Sequence, residues 1–205
     1  RDSYKDYEKA LKTKNPMDIA IFLRKWGVRT RISLAKLERH IKSKCQEIEA
    51  LGNLDIVSVD LESSIQLGGQ SKLVPDVIID LFSVFTDISE QSGRSDYTGS
   101  SKILHVLLPK FFIMWDFSIR HAYGCRFKSS KDAGKKYFTF LKRMQREAKE
   151  AVESYCKEHN CTVREAVREI ERSLYEGGFY PFTRLLDQYN LQKYTKGDEG
   201  LWADD

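Results

Sequence analysis

TGSSKILHVLLPKFFIMWDFSIRHAYG, residues 98–124, joins the most apolar run of the chain to its most unusual polar residues. The spacing predicts a buried helix that opens at Thr98-Gly99 and runs through Ile103 to Leu108, where Pro109 favours a break. Phe111 to Trp115 then read as a second buried segment. Asp116 stands where a short helix, Phe117 to Tyr123, begins, and Gly124 takes the C′ position that ends it. Two polar residues punctuate this run: Lys102, read as lying in the first turn of its helix, and Asp116.

Working outward, helix signals are dense and strand signals nearly absent. Upstream, Tyr4 to Lys12 reads as a short helix, and Asn15-Pro16 as a cap and first-position proline for a helix that stops at Gly27. Leu34, Leu37, Ile41, Cys45, Ile48 and Leu51 recur at three and four residue steps, which predicts one long helix from Ser33 to Leu51. Residues 53–74 read as irregular, with a turn at Gly68-Gly69, and Pro75 opens a strongly apolar helix to about Ile88. Downstream, a long helix is expected over Asp132 to Glu158. A capping box, Thr162 with Glu165, starts a further helix ending at Gly177-Gly178. A last helix, Pro181 to Tyr189, precedes the charged tail GDEGLWADD. The fold expectation is all-α: a globule of about eight helices in a single domain, with room for two helical lobes sharing a cleft.

Composition narrows the function. No run approaches the length of a membrane span, and RDSYKDYEK lacks the features of a signal peptide, so the expectation is a cytoplasmic protein, or a nuclear one in a eukaryote. Four scattered cysteines, at 45, 125, 156 and 161, do not form a disulfide framework, and Cys156 and Cys161 with His159 do not complete a zinc ligand set, so no metal or cofactor is expected. The net charge of +4 is unevenly spread. Residues 99–143 hold 10 Lys/Arg against 2 Asp/Glu, whereas residues 51–98 hold 2 against 8. That basic block, interleaved with Phe, Trp and Tyr, reads either as a phosphate-facing surface carrying Lys128, Lys131, Lys135 and Lys136, or as a solvated face.

The central stretch also carries candidate chemistry. Backbone N–H groups at Gly99, Ser100 and Ser101 could receive an anion at the helix start. A cation at that positive helix end, partly desolvated, should have a lowered pKa, which suits Lys102 to act as an amine nucleophile; the plain alternative is a solvated lysine. Asp116 is a helix cap, or a cap that also stabilises positive charge on a bound sugar. His105 is a proton relay or a hydrogen-bonded core histidine, and Arg120, one turn after Asp116, either pairs with it or meets phosphate.

Gly99, Lys102 and Asp116, with Phe112-Ile113-Met114-Trp115-Asp116 leading into the last of them, resemble the helix-hairpin-helix DNA glycosylases. The likeness covers residues 98–124. It departs from the family in having no Leu-Pro-Gly-x-Gly before the lysine, a shorter interval between lysine and aspartate, and no four-cysteine iron-sulfur spacing. The order Ser101, Lys102, Leu104, His105, Pro109, Phe112, Trp115, Asp116, Arg120 is also similar to that of a group of small microbial proteins with no assigned activity. The first resemblance implies duplex DNA as partner and base excision in DNA repair as activity. Lys102 would attack C1′ of a flipped nucleotide, Asp116 would assist, and His105, Phe112 and Trp115 would line the pocket. The rival expectation is a non-catalytic α-helical module that binds nucleic acid or protein.

Overall fold

The computed structural model describes residues 2–173 and 181–195; the predicted stop at Gly177-Gly178 and the tail from Gly197 lie outside the described residues. Ten helices and one two-stranded hairpin are present among them. In chain order the helices are α1 (Asp2–Thr13), α2 (Pro16–Lys25), α3 (Leu34–Ser43), α4 (Cys45–Leu51), α5 (Val74–Phe85), α6 (Tyr97–Leu107), α7 (Phe117–Ala122), α8 (Ser130–His159), α9 (Val163–Ser173) and α10 (Phe182–Thr195). The strands β1 (Ser64–Leu67) and β2 (Gln70–Leu73) lie between α4 and α5. The chain is thus mainly α-helical, and no described helix is long and apolar enough to cross a membrane.

Several boundaries are written locally. The Asn15 side chain accepts the Asp18 N–H, with Pro16 at the first helical position, and Gly27 beyond the end of α2 has a positive φ. The Thr162–Glu165 capping box is formed in both directions. Two expectations need correction. The single helix over Ser33 to Leu51 is broken at Lys44. There the Ser43 hydroxyl bonds back to the His40 carbonyl, and the Lys44 ammonium is drawn to Asp80 and Glu47. The irregular stretch contains the hairpin. Gly68 and Gly69, at φ +55° and +81°, supply the paired left-handed residues of a tight turn, and Leu67 faces the core.

The buried apolar side chains form one cluster. The 30-residue α8 lies along α5. Their backbones approach closely at Gly134, where a Cβ would stand 2.7 Å from the Ile79 carbonyl oxygen. Helix α6 packs against α5, α2 and α1. It is buried from Gly99 to Leu107, more completely than an amphipathic helix, which is what its unbroken apolar run requires.

Between α6 and α7 the chain returns without secondary structure through the core, and buried polar side chains satisfy its backbone. His105 Nδ1–H donates to the Phe112 carbonyl (2.8 Å), Tyr137 Oη–H to the Ile113 carbonyl (2.6 Å), and Ser101 Oγ accepts the Trp115 N–H (3.2 Å). The Phe112 carbonyl can only accept, so Nδ1 carries a proton; burial keeps the ring neutral, and its Nε2 then accepts from Tyr7 Oη–H at 2.7 Å. Burial holds the His105 pKa down at about 3. His105 is therefore a core histidine, and it cannot serve as a relay in an open pocket. Phe112 and Trp115 are fully buried and pack against Tyr137, and neither is among the residues lining the cleft that holds Lys102.

Candidate functional site

The helix that carries Lys102 opens two residues earlier than expected, because Asp96 and not Thr98 is its cap. The Asp96 carboxylate accepts the Gly99 N–H at 2.6 Å, and the Asp96 carbonyl accepts the Ser100 N–H at 3.1 Å. Ser100 Oγ–H donates to the Phe82 carbonyl, and both serines are fully buried. Gly99, Ser100 and Ser101 are thus closed to solvent and spent on internal bonds, so they form no anion site. Lys102 falls in the second turn of α6, away from the positive helix end.

Lys102 nevertheless has a lowered pKa, about 8, through burial and not through the helix end. Its side chain is 8% exposed, and desolvation is the largest cause. The nearby Asp116 and Asp96 carboxylates oppose the shift, and the Arg184 guanidinium adds to it. At neutral pH roughly a tenth to a fifth of such an amine is unprotonated, against under roughly one in a thousand for an ordinary lysine. The ammonium donates to the Trp26 carbonyl at the end of α2.

Asp116 reaches the same place through the Ser101 clasp. Ser101 precedes Lys102 and Trp115 precedes Asp116. The Ser101 Oγ contacts to Trp115 N (3.2 Å) and Trp115 O (3.1 Å), backed by Trp115 Nε1–H to the Tyr97 carbonyl (3.2 Å), therefore set the two functional side chains side by side. The Asp116 carboxylate caps α7 by accepting the Ile119 N–H at 2.9 Å, leaving further lone pairs to face the cleft. Lys102 and Asp116 line one cleft of about 520 Å³, and among the described residues no ion pair joins them. Ser101→Ala should leave the Trp115 N–H without its buried acceptor. It is expected to cost about 1–3 kcal/mol in denaturant unfolding and to loosen Asp116 from Lys102.

The rest of the cleft comes from sequence-distant segments. One wall is the α2–α3 connection, Trp26 to Thr30; the other is the run from Arg94 to Thr98, with Phe117, Ser118 and Arg120 closing the third side. The two connections are stitched by Ser33 N–H to the Ile88 carbonyl (2.8 Å), Glu90 N–H to the Arg31 carbonyl (2.9 Å) and an Arg31–Glu90 ion pair (2.8 Å). Arg29, Arg94 and Arg120 give the rim its positive character. The Arg120 guanidinium rests 5.7 Å from the Tyr97 ring centroid, 5.3 Å from that of Phe117 and 5.7 Å from that of Phe127.

Of the basic block, Lys128, Lys131 and Lys135 are exposed. Lys136 is half-buried, its ammonium donating to the Arg126 carbonyl and pairing with Asp132 at 3.4 Å. The block adjoins the cleft: Ser130 Oγ lies 3.4 Å from Ser95 Oγ, and Phe127 packs on Tyr97 at 4.5 Å. Sequence reading missed Trp26, Arg29, Arg94 and Asp96. The one local signal for Trp26 and Arg29 is the Gly27 stop, which puts them in a connection between helices; Arg94 and Asp96 fall in the polar run before Tyr97.

The arrangement holds a partly unprotonated amine, a carboxylate next to it and an arginine rim with aromatic surfaces. It can bind an anionic ligand, form a covalent bond to an electrophilic carbon at Lys102 and stabilise adjacent positive charge through Asp116. Comparison with protein-family models, curated proteins and solved structures gives no match.

Proposed function

We propose that this protein is a DNA base-excision glycosylase/lyase of helix-hairpin-helix glycosylase-like fold, with Lys102 as nucleophile and Asp116 as its electrostatic partner. The observation that carries the reading is the shared cleft: Lys102, at a pKa of about 8, stands with Asp116 behind an arginine rim. The rim suits the phosphates that flank an extruded nucleotide. The neutral Lys102 amine attacks C1′, and the bond from C1′ to the base breaks with its electron pair leaving on the base, which takes up a proton. Asp116 stabilises the positive charge that develops on the sugar. The amine nitrogen then loses a proton, the ring oxygen gains one as the sugar opens, and a Schiff base joins Lys102 to C1′. This chemistry needs no cofactor.

Borohydride reduces such a Schiff base to a stable amine. Incubation of the full chain with duplexes bearing an abasic site or an oxidised purine, in the presence of borohydride, should give a covalent protein–DNA band. Asp116→Asn should reduce its rate of formation on the oxidised purine by about 10²-fold or more. No band and no strand scission on a broad lesion panel would end the catalytic reading. Salt-sensitive binding that survives loss of both Lys102 and Asp116, yet fails when Lys128, Lys131, Lys135 and Lys136 are neutralised, would identify a non-catalytic module instead.

A further inference from the structure

Among the described residues Phe117 is the most exposed of the large apolar side chains, at 65%, and it stands on the lip of the cleft directly after Asp116. It supports no core, yet its backbone is fixed. Asp116 caps the turn, buried Ile119 anchors it two residues on, and the ring lies 5.9 Å from His121 at an interplanar angle of 24°. Arg120 holds its guanidinium 5.3 Å from the same ring. An exposed aromatic surface is therefore presented in a set orientation beside a cationic rim.

We infer that Phe117 is a stacking platform for an unpaired nucleobase, so that the cleft takes nucleic acid with a locally unpaired strand in preference to intact duplex. This rests on the reading of the cleft as a nucleic-acid site. Arg29, Arg94 and Arg120 on the rim, and exposed Lys128 and Lys131 beyond the Ser95–Ser130 contact, complement a phosphodiester backbone. A base within a duplex has both faces covered by its neighbours, whereas an unpaired base offers a free face of the size of a phenyl ring. An acidic peptide would match the charges and leave the ring without a flat partner.

The test is binding of the full chain to a fluorescently labelled single-stranded oligonucleotide and to the corresponding blunt duplex, at one salt concentration. The wild type should bind the single strand more tightly. Phe117→Ala should weaken single-strand binding by about 5- to 100-fold, with little change on the duplex, and Phe117→Trp should restore it. The exposure of the ring predicts that Phe117→Ala melts like the wild type, which separates loss of stacking from loss of fold. Equal loss on both ligands, or no loss on either, overturns the inference. If the wild type still traps an abasic duplex through Lys102 while Phe117→Ala binds single strands unchanged, stacking fails and the proposed activity stands. If the wild type neither binds nor traps, both fail.

Discussion

Lys102→Met is expected to abolish the borohydride-trapped adduct while making the protein more stable at neutral pH. The two effects share one cause. The lysine is held at a pKa of about 8, against an ordinary value of 10.5, chiefly by desolvation, so its charged form is disfavoured in the folded state. A shift of that size corresponds to about 3 kcal/mol. Methionine removes the penalty and keeps the apolar stem, but forfeits the hydrogen bond to the Trp26 carbonyl, worth about 1 kcal/mol. The net gain should be about 2 kcal/mol, or roughly 4–8 °C in Tm for a chain of this size.

The sign of the pH dependence follows from the same shift. Between pH 8 and 10.5 the unfolded chain binds the lysine proton and the folded chain does not, so wild-type stability should rise through that window relative to Lys102→Met. Below pH 8 the lysine is charged in both states and the difference should be constant. The trapping rate should climb with pH and level off near 8, where an ordinary lysine would keep climbing. An adduct that persists in Lys102→Met would assign the nucleophile elsewhere. A variant no more stable than the wild type would show that the ammonium is well solvated in the cleft.

The second large effect is acid destabilisation through His105. Its pKa falls from 6.5 to about 3 because the ring is buried, with Tyr7 and Phe112 satisfying its two nitrogens in the neutral form. Below pH 6.5 the unfolded chain takes up a proton that the folded chain refuses, so stability is complete above that value and drains away as pH falls. From pH 6.5 to 4.5 the expected loss is about 2 kcal/mol. Urea unfolding across this range should show the slope in the wild type and a flat profile in His105→Gln, at a lower overall stability because the ring leaves a gap in the core. A wild-type profile as flat as the variant's would mean that His105 is protonated in the folded protein.

The two functional side chains illustrate how far local pattern reaches. Asp116 as the cap of a short helix closed by Gly124 was legible, since capping depends on residues within one turn. Lys102 read either as a lysine with a lowered pKa or as a solvated one; of the two causes expected for a lowered value, partial desolvation stands and the helix N-terminus drops out. The true cap, Asp96, lies before Tyr97, and its carboxylate fills the site that Gly99 and Ser100 were expected to offer an anion. The burial of His105, Phe112 and Trp115 was legible from the apolar run around them; their assignment to a pocket came from the family resemblance and gives way to the core.

The sequence by itself determined the helical character of the chain, most helix starts, and the burial of residues 103–108 and 111–115. Each follows from periodicity, caps or hydrophobicity within a few residues. Tertiary structure decided where the cleft lies and what lines it. The Ser101 clasp that returns Asp116 to Lys102, the stitching of residues 31–33 to 88–90, and the arrival of Trp26 and Arg184 beside the lysine are long-range contacts. A hydroxyl that bonds a backbone 14 residues away leaves no period in the sequence. Desolvation of an amine depends on every segment that packs around it, which is why the extent of the Lys102 burial became visible only in the folded protein.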